Sequence, residues 1–352
     1  MATTKSKASS AKKTTTRRRS SKKPAYSKDQ ILEWFRSMLL QRRFEEKAGQ
    51  LYMERKIRGF CHLYIGQEAV STGLEAAIRP DDVVITAYRD HGLGLARGMT
   101  SNECMAELYG KATGSSKGKG GSMHYFDKEN NFAGGHGIVG AQIPVGAGIA
   151  FGMKYKEEDR ICACLMGDGA VRQGALHEAF NMAMTWKLPV LYIIENNGYA
   201  MGTSVERTSN VTDLYRLGES YDMPGKAIDA MDMIKTMEEL KEAVDHVRSG
   251  KGPYLIEMKT YRYRGHSMSD PMKYRTREEL EQFRDRDPIV GVKHYAEKYK
   301  MGLDDEFQRI EEEIKAEVAA SVEHAETAPF PNAEKEMYED VYIGDYPFSS
   351  DF

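Results

Sequence analysis

Between residues 31 and 39 the apolar side chains stand at Ile31, Trp34, Phe35, Met38 and Leu39, the spacing of one face of an α-helix. Ser27 followed by Gln30 has the form of a capping box, so the pattern predicts a long helix from there to about Arg55. A different pattern follows at 83–88, where VVITAY is continuously apolar and ends in a polar turn, as a buried strand does. CMAELYG at 104–110 reads as helix. Residues 110–137, GKATGSSKGKGGSMHYFDKENNFAGGHG, are too glycine-rich for either regular structure and long for a loop, which marks a segment that works at a site or moves.

From residue 137 onward, strand and helix patterns alternate. Gly140, Ala141, Gly146, Gly148 and Gly152 predict a helix packed closely on a ligand or another helix. RICACLMGDG (160–169) and PVLYIIENN (189–197) are strand patterns with the helix GALHEAFNMAMTWK between them. TMEELKEAVDHVRSG (236–250) and GPYLIEMKTYRYRG (252–265) add one more helix and strand, and the chain beyond Arg275, including the charged amphipathic stretch 304–323, reads as helical. Apolar strands without alternation, separated by helices, predict an α/β fold: a mainly parallel sheet flanked by helices on both faces, with a helical C-terminal region.

Composition narrows the class. The chain has 352 residues, 41% hydrophobic and 29% charged, enough for a large core. No stretch approaches the ~18 apolar residues of a membrane span, and the start lacks the apolar segment of a secretory signal, so neither a membrane nor export is expected. Cys61, Cys104, Cys162 and Cys164 lack paired metal-ligand spacing and read as reduced core thiols. Nine Lys and Arg and no acid fall in residues 1–24, which leaves a charge of −12 on the rest. Residues 1–25 therefore read as a disordered basic tail and 26–352 as one domain. The tail is either solvated or an arm toward an acidic partner, and a transit peptide would place the protein in the mitochondrial matrix. The acidic body offers no basic face for nucleic acid.

The candidate chemistry lies at two strand ends. Gly167-Asp168-Gly169 ends the first central strand and Asn196-Asn197 the second, and Asp168 and Asn197 are 29 positions apart, about one strand–helix–strand unit. Parallel strands with one helix between them bring these ends to the carboxyl edge of the sheet, where ligands of open α/β sheets bind. A carboxylate and an amide oxygen suit Mg²⁺. The flanking glycines admit an anion to the backbone N–H groups, and the following helix directs its positive end there. Together these features describe a divalent-metal and diphosphate site.

The motif resembles that of thiamine-diphosphate enzymes, and the words around it resemble one family. GFCHLYIGQEA (59–69), ITAYRDHG (85–92), GKGGSMH (118–124), GGHGIVGAQ (134–142), NNGYAMGTSVER (196–207) and TYRYRGHSMSDP (260–271) are similar to the alpha subunits of the 2-oxo acid dehydrogenases, pyruvate branch. The resemblance implies a thiamine-diphosphate-binding fold that decarboxylates pyruvate oxidatively and passes the acetyl group to the lipoyl group of a dihydrolipoyl acetyltransferase. It implies Mg²⁺ ligands Asp168, Asn197 and the main-chain oxygen of Tyr199. Gly169 and Ala170 fall at the diphosphate, Gly137 and Val139 beside the cofactor rings, and Tyr88 and Arg89 at diphosphate and substrate. His62 and His266 match the two active-site histidines, His266 also at the cofactor, and Phe60 joins His62 at the substrate. His136 is an open candidate.

The resemblance further implies a partner. In this family a glutamate at the pyrimidine end of the cofactor is required, and none of the matched words carries it, so a beta subunit is expected to supply it in a heterotetramer of two alpha and two beta chains. Residues 110–137 and 137–152 are the surfaces expected to meet it. Branched-chain or acetoin dehydrogenase subunits, a transketolase-like enzyme and a non-catalytic assembly subunit are the alternatives. Two departures stand out. Ala170-Val171-Arg172-Gln173-Gly174 replaces the common Ala-Ala-Asn-Gln-Gly, and Met272-Lys273-Tyr274 stand where mitochondrial relatives carry a second serine after the positions matching Ser267. Ser204 also matches a modification site of those relatives. With an unconvincing transit peptide, the pattern reads as a bacterial cytoplasmic enzyme without a dedicated kinase.

Overall fold

The structure is a computed structural model and describes residues 23–337 and 339–340. Residues 1–22, and with them nearly all of the basic tail, lie outside the described residues. The first helix, α1 (Lys28–Met53), starts as its sequence requires: the Ser27 side chain accepts from the Gln30 N–H and the Gln30 side chain accepts from the Ser27 N–H.

Six strands form one sheet in which every neighbouring pair is parallel: β1 (Val83–Ala87), β2 (Phe132–His136), β3 (Cys162–Gly167), β4 (Val190–Asn196), β5 (Gly225–Asp229) and β6 (Tyr254–Lys259), in the order β2-β1-β3-β4-β6-β5. The register sets Gly167 of β3 beside Glu195 of β4, so the turns carrying Asp168 and Asn197 leave the sheet side by side.

Alternate side chains of β3 enter different cores. Cys162, Cys164 and Met166 pack with α5 (Gln142–Tyr155) and α6 (Gly174–Thr185). Ala163 and Leu165 pack in the larger core with α1, α2 (Glu68–Ala77), α4 (Ser101–Leu108), α7 (Met233–His246) and the C-terminal α9 (Pro288–Lys298) and α10 (Asp304–Thr327). Helices therefore cover both faces of the sheet, and all four cysteines are buried free thiols. The fold is the α/β arrangement expected, with a helical C-terminal region. No helix among the described residues is long and apolar enough to cross a membrane.

The structure differs from the sequence reading in four places. Strand β2 lies inside the segment read as too glycine-rich for regular structure; it is tolerated there because it is an edge strand with one neighbour, β1. Strand β6 stops at Lys259, and residues 260–265 turn away to form part of the site. Helices α2 and α3 (His91–Arg97) and edge strand β5 were not foreseen. Finally, β3 does not lead straight into a helix: a 3₁₀ turn, Ala170–Arg172, intervenes, and α6 begins only at Gly174. The backbone that directly follows Asp168 is therefore that turn rather than the first turn of α6.

Candidate active site

Asp168 sits just beyond β3, buried, and burial raises its carboxyl to about 6 even though the Asn197 main-chain N–H helps to hold it lower. Asn197 is buried as well; its Nδ2 donates to Gln67 Oε1 at 3.0 Å, which leaves Oδ1 facing inward. Arg262 Nη1 lies 3.3 Å from both Asn197 Oδ1 and the Tyr199 carbonyl oxygen. Two of the three oxygens expected to bind Mg²⁺ thus converge on one cationic point, and the third belongs to the adjacent strand end. Gly169 is required here: a Cβ on it would stand 2.6 Å from Ala200 Cβ, whereas a Cβ on Gly167 would meet nothing within 4 Å.

Two buried guanidinium groups flank this oxygen cluster. Arg89 donates to the carbonyl oxygens of Leu63 at 2.6 Å and His266 at 2.7 Å. Arg262 donates to Met201 O and to the Tyr274 hydroxyl besides the two oxygens above. Neither is ion-paired with a carboxylate among the described residues, and burial lowers Arg89 to about 10, with Arg262 adding to the effect. Two desolvated cations with no carboxylate in ion-pair contact among the described residues are costly, and an anion joining them would offset that cost. The site thus has oxygen ligands for a hard cation and two guanidinium groups suited to a phosphate, beside the Asp168 carboxyl that both of them influence, which fits a metal-bound diphosphate.

Three rings form the neighbouring wall. The His62 and Tyr88 rings are 4.7 Å apart, His62 and His266 5.1 Å, and Tyr88 and His266 5.8 Å. Burial and then the Arg89 charge push His62 down to about 2 and His266 to about 4, so both rings are neutral near pH 7. His62 Nδ1 is buried with no hydrogen-bond partner among the described residues. Phe60, 65% exposed, stands 6.2 Å from His62 at the mouth.

At the other side Gly137 approaches the His124 ring, where a Cβ would come within 3.2 Å, and Val139 is 43% exposed. His136 lies apart from the three rings, packed on Phe126 with Nε2 toward the Ala133 carbonyl. Arg172, the unusual residue of the diphosphate turn, donates to Ser209 Oγ. Sequence reading missed Arg262, Gln67 and Ser122, although all three stand inside the quoted words.

Residues 36–334 match the dehydrogenase E1 component family. The chain belongs to that family. Among its relatives, the pyruvate dehydrogenase E1 component subunit alpha of Rhizobium meliloti is 52% identical over 319 residues, 90% of this chain and 91% of the relative. The subunit of the same name from Zymomonas mobilis is 49% identical, covering 91% of this chain and 90% of the relative. The mitochondrial one of Sminthopsis macroura is also 49% identical, covering 92% and 88%. As in other members of the dehydrogenase E1 component family, thiamine diphosphate is the cofactor that this site is suited to hold.

Proposed function

We infer that this chain is the alpha subunit of a pyruvate dehydrogenase. Together with a beta subunit it decarboxylates pyruvate and transfers the acetyl group to the lipoyl group of a dihydrolipoyl acetyltransferase. The observation that carries this reading is identity of about one half across nine-tenths of the chain to enzymes of that name. The net reaction balances: pyruvate loses its carboxyl group as CO₂, and the two electrons released reduce the lipoyl disulfide to one thiol and one acetyl thioester.

Asp168, Asn197 and the Tyr199 carbonyl would hold Mg²⁺. Gly169, Ala170, Tyr88, Arg89 and His266 would hold the diphosphate, and Gly137 and Val139 the ring system. Thiamine diphosphate, when bound, supplies the electron sink that lets CO₂ leave. The protein's part is placement and charge. The Arg89 guanidinium, already fixed by two carbonyl oxygens, presents its remaining donors to an anion, either phosphate or the substrate carboxylate. Neutral His62, with Nδ1 free, is placed to accept or deliver a proton beside Tyr88 and Phe60, where pyruvate would sit. The bacterial relatives support a bacterial cytoplasmic enzyme.

Co-expression with the beta subunit, followed by decarboxylation assays on pyruvate, 2-oxobutyrate, branched-chain 2-oxo acids and acetoin, tests the reading. Preference for pyruvate is expected. Preference for a branched-chain acid or acetoin would move the chain to another branch, and no turnover with bound cofactor would make it an assembly subunit.

A further inference from the structure

Behind the loop that carries His62 runs a buried polar chain that this chemistry does not use. Glu45, on α1, is almost fully buried; its Oε1 accepts from the Tyr64 N–H at 2.6 Å and its Oε2 lies 3.0 Å from His91 Nδ1. The fully buried His91 reaches with Nε2 to the Ser122 carbonyl oxygen at 3.0 Å and to Ser122 Oγ at 2.9 Å. That same Oγ accepts from the His62 N–H at 3.1 Å. The Tyr125 ring stacks on His91 at 4.9 Å.

The Glu–His–Ser order has the outline of a hydrolase triad, but the proton positions rule that out. A carbonyl oxygen only accepts, so Nε2, facing the Ser122 carbonyl, carries hydrogen and cannot act as the base of Ser122. Nδ1 faces a carboxylate and carries hydrogen as well. With Glu45 as a carboxylate, the two protonated ring nitrogens make His91 an imidazolium paired with it. The titratable groups around the ring are Glu45 from α1, Asp90 on its own turn, Cys61 and His62 from the loop after α1, and Tyr125 from the glycine-rich segment. Burial opposes the charged ring, and the Glu45 carboxylate outweighs it, so His91 holds its proton more tightly than usual.

We propose that Glu45, His91 and Ser122 are positioning residues for His62: a buried carboxylate–imidazolium pair that pins the backbone at residues 62 and 64 and so aims the His62 ring into the site. Glu45 fixes the Tyr64 N–H and, through His91, fixes the Ser122 hydroxyl that holds the His62 N–H. The consequence for catalysis rests on the reading of His62 above; the charge state of His91 does not.

The test uses the assembled alpha–beta complex with ¹⁵N-labelled histidine in the alpha chain only. In the wild-type spectrum one histidine keeps both ring nitrogens protonated above the pH at which the other histidines lose a proton, a signature lost in Glu45→Gln. A wild-type spectrum with no such histidine overturns the proposal, whatever the variants do. Ser122→Ala keeps the Ser122 carbonyl position but removes the acceptor for His62. It lowers kcat for pyruvate decarboxylation with a small artificial electron acceptor by ~10- to 100-fold while cofactor affinity stays at wild type, the pattern of a misaimed group. Wild-type kcat in both Ser122→Ala and Glu45→Gln overturns the positioning role. A wild-type complex inactive on every 2-oxo acid overturns the functional reading instead, with the histidine spectrum still reporting the pair.

Discussion

A histidine ring buried beside a guanidinium gives up its proton easily, and the site holds two such rings. With His62 lowered to about 2 and His266 to about 4, the folded protein refuses protons that the unfolded chain takes up near pH 6.5. The sign follows: neither ring affects stability above about pH 6.5, and stability falls as pH drops below it, down to about 4 for His266 and about 2 for His62. We expect neither His62 nor His266 to titrate above pH 5 in cofactor-free protein, read from their ring-proton NMR shifts, with a urea midpoint that declines below pH 6. A titration of either ring near pH 6.5 would show that burial and the Arg89 charge do not hold it neutral. At the strand ends the expectation is a loss. Asp168→Ala or Asn197→Ala each removes an oxygen from an ion with strict octahedral demands, so Mg²⁺-dependent thiamine diphosphate binding falls below calorimetric detection. Wild-type affinity in either variant would refute the metal assignment. The place of both residues at neighbouring strand ends was legible in the sequence, because two buried strands one strand–helix–strand unit apart each end in a polar turn. Arg262 was not, because its role depends on residues 260–265 leaving the sheet, and the apolar run gives no sign of where a strand stops.

At the scale of elements, the glycine-rich segment is held by one carboxylate. Glu107, fully buried on α4, accepts at 2.8 to 2.9 Å from the N–H groups of Ser116, Gly118, Gly120 and Gly121. Few side chains in this segment can anchor it, so its order comes from those backbone donors. The glycines also serve close approach: a Cβ on Gly118 would stand 2.5 Å from the Gly110 carbonyl carbon, and one on Gly114 2.6 Å from Glu107 Cα. Glu107→Ala leaves four N–H groups without their acceptor and is expected to cost ~3 kcal/mol or more, since hydrogen bonds to a charged group contribute ~1.5 to 3 kcal/mol each and water replaces some of them. Limited proteolysis within 110–124 and a lowered urea midpoint check it; an uncut segment would place its order elsewhere. The same segment explains what the sequence hid. A glycine-rich run reads as loop because glycine carries no pattern, yet Phe132–His136 pairs with β1, and the carboxylate that orders the rest stands on a different element. Edge strand Gly225–Asp229 buries only Ile228 and α3 holds two glycines in seven residues, so neither shows the periodicity by which α1 and the central strands were read.

At the scale of the whole molecule, the chain carries an exposed apolar face beside the proposed site. Helix α5 lies on the sheet through Gly146, where a Cβ would come within 2.9 Å of Cys164, while Gly148 and Gly152 would place a Cβ in open space. Val145, Phe151 and Tyr155 on α5 and Met182 and Trp186 on α6 are exposed beside those glycines, an apolar patch of the kind that marks a protein interface. Ile138 and Val139, next to the proposed cofactor rings, extend it toward the site. On the proposed cofactor placement, neither glutamate of the central unit is placed for its far end. Glu178 points to solvent from α6, and Glu195 is buried with its Oε1 2.5 Å from the Tyr64 hydroxyl. A beta subunit that covers α5 would both bury this face and bring the missing carboxylate, which ties assembly to activity. Two outcomes follow together. The purified chain should show negligible pyruvate decarboxylation, restored by adding the beta subunit; full activity from the isolated chain would falsify the shared site. Gly148→Leu should fold as wild type, because no atom of the described residues lies within 4 Å of a Cβ there, yet fail to assemble, since the larger residue keeps a partner helix from close approach. Sedimentation of the mixed subunits separates the cases: a variant that folds and still forms the full complex would place the interface on another face.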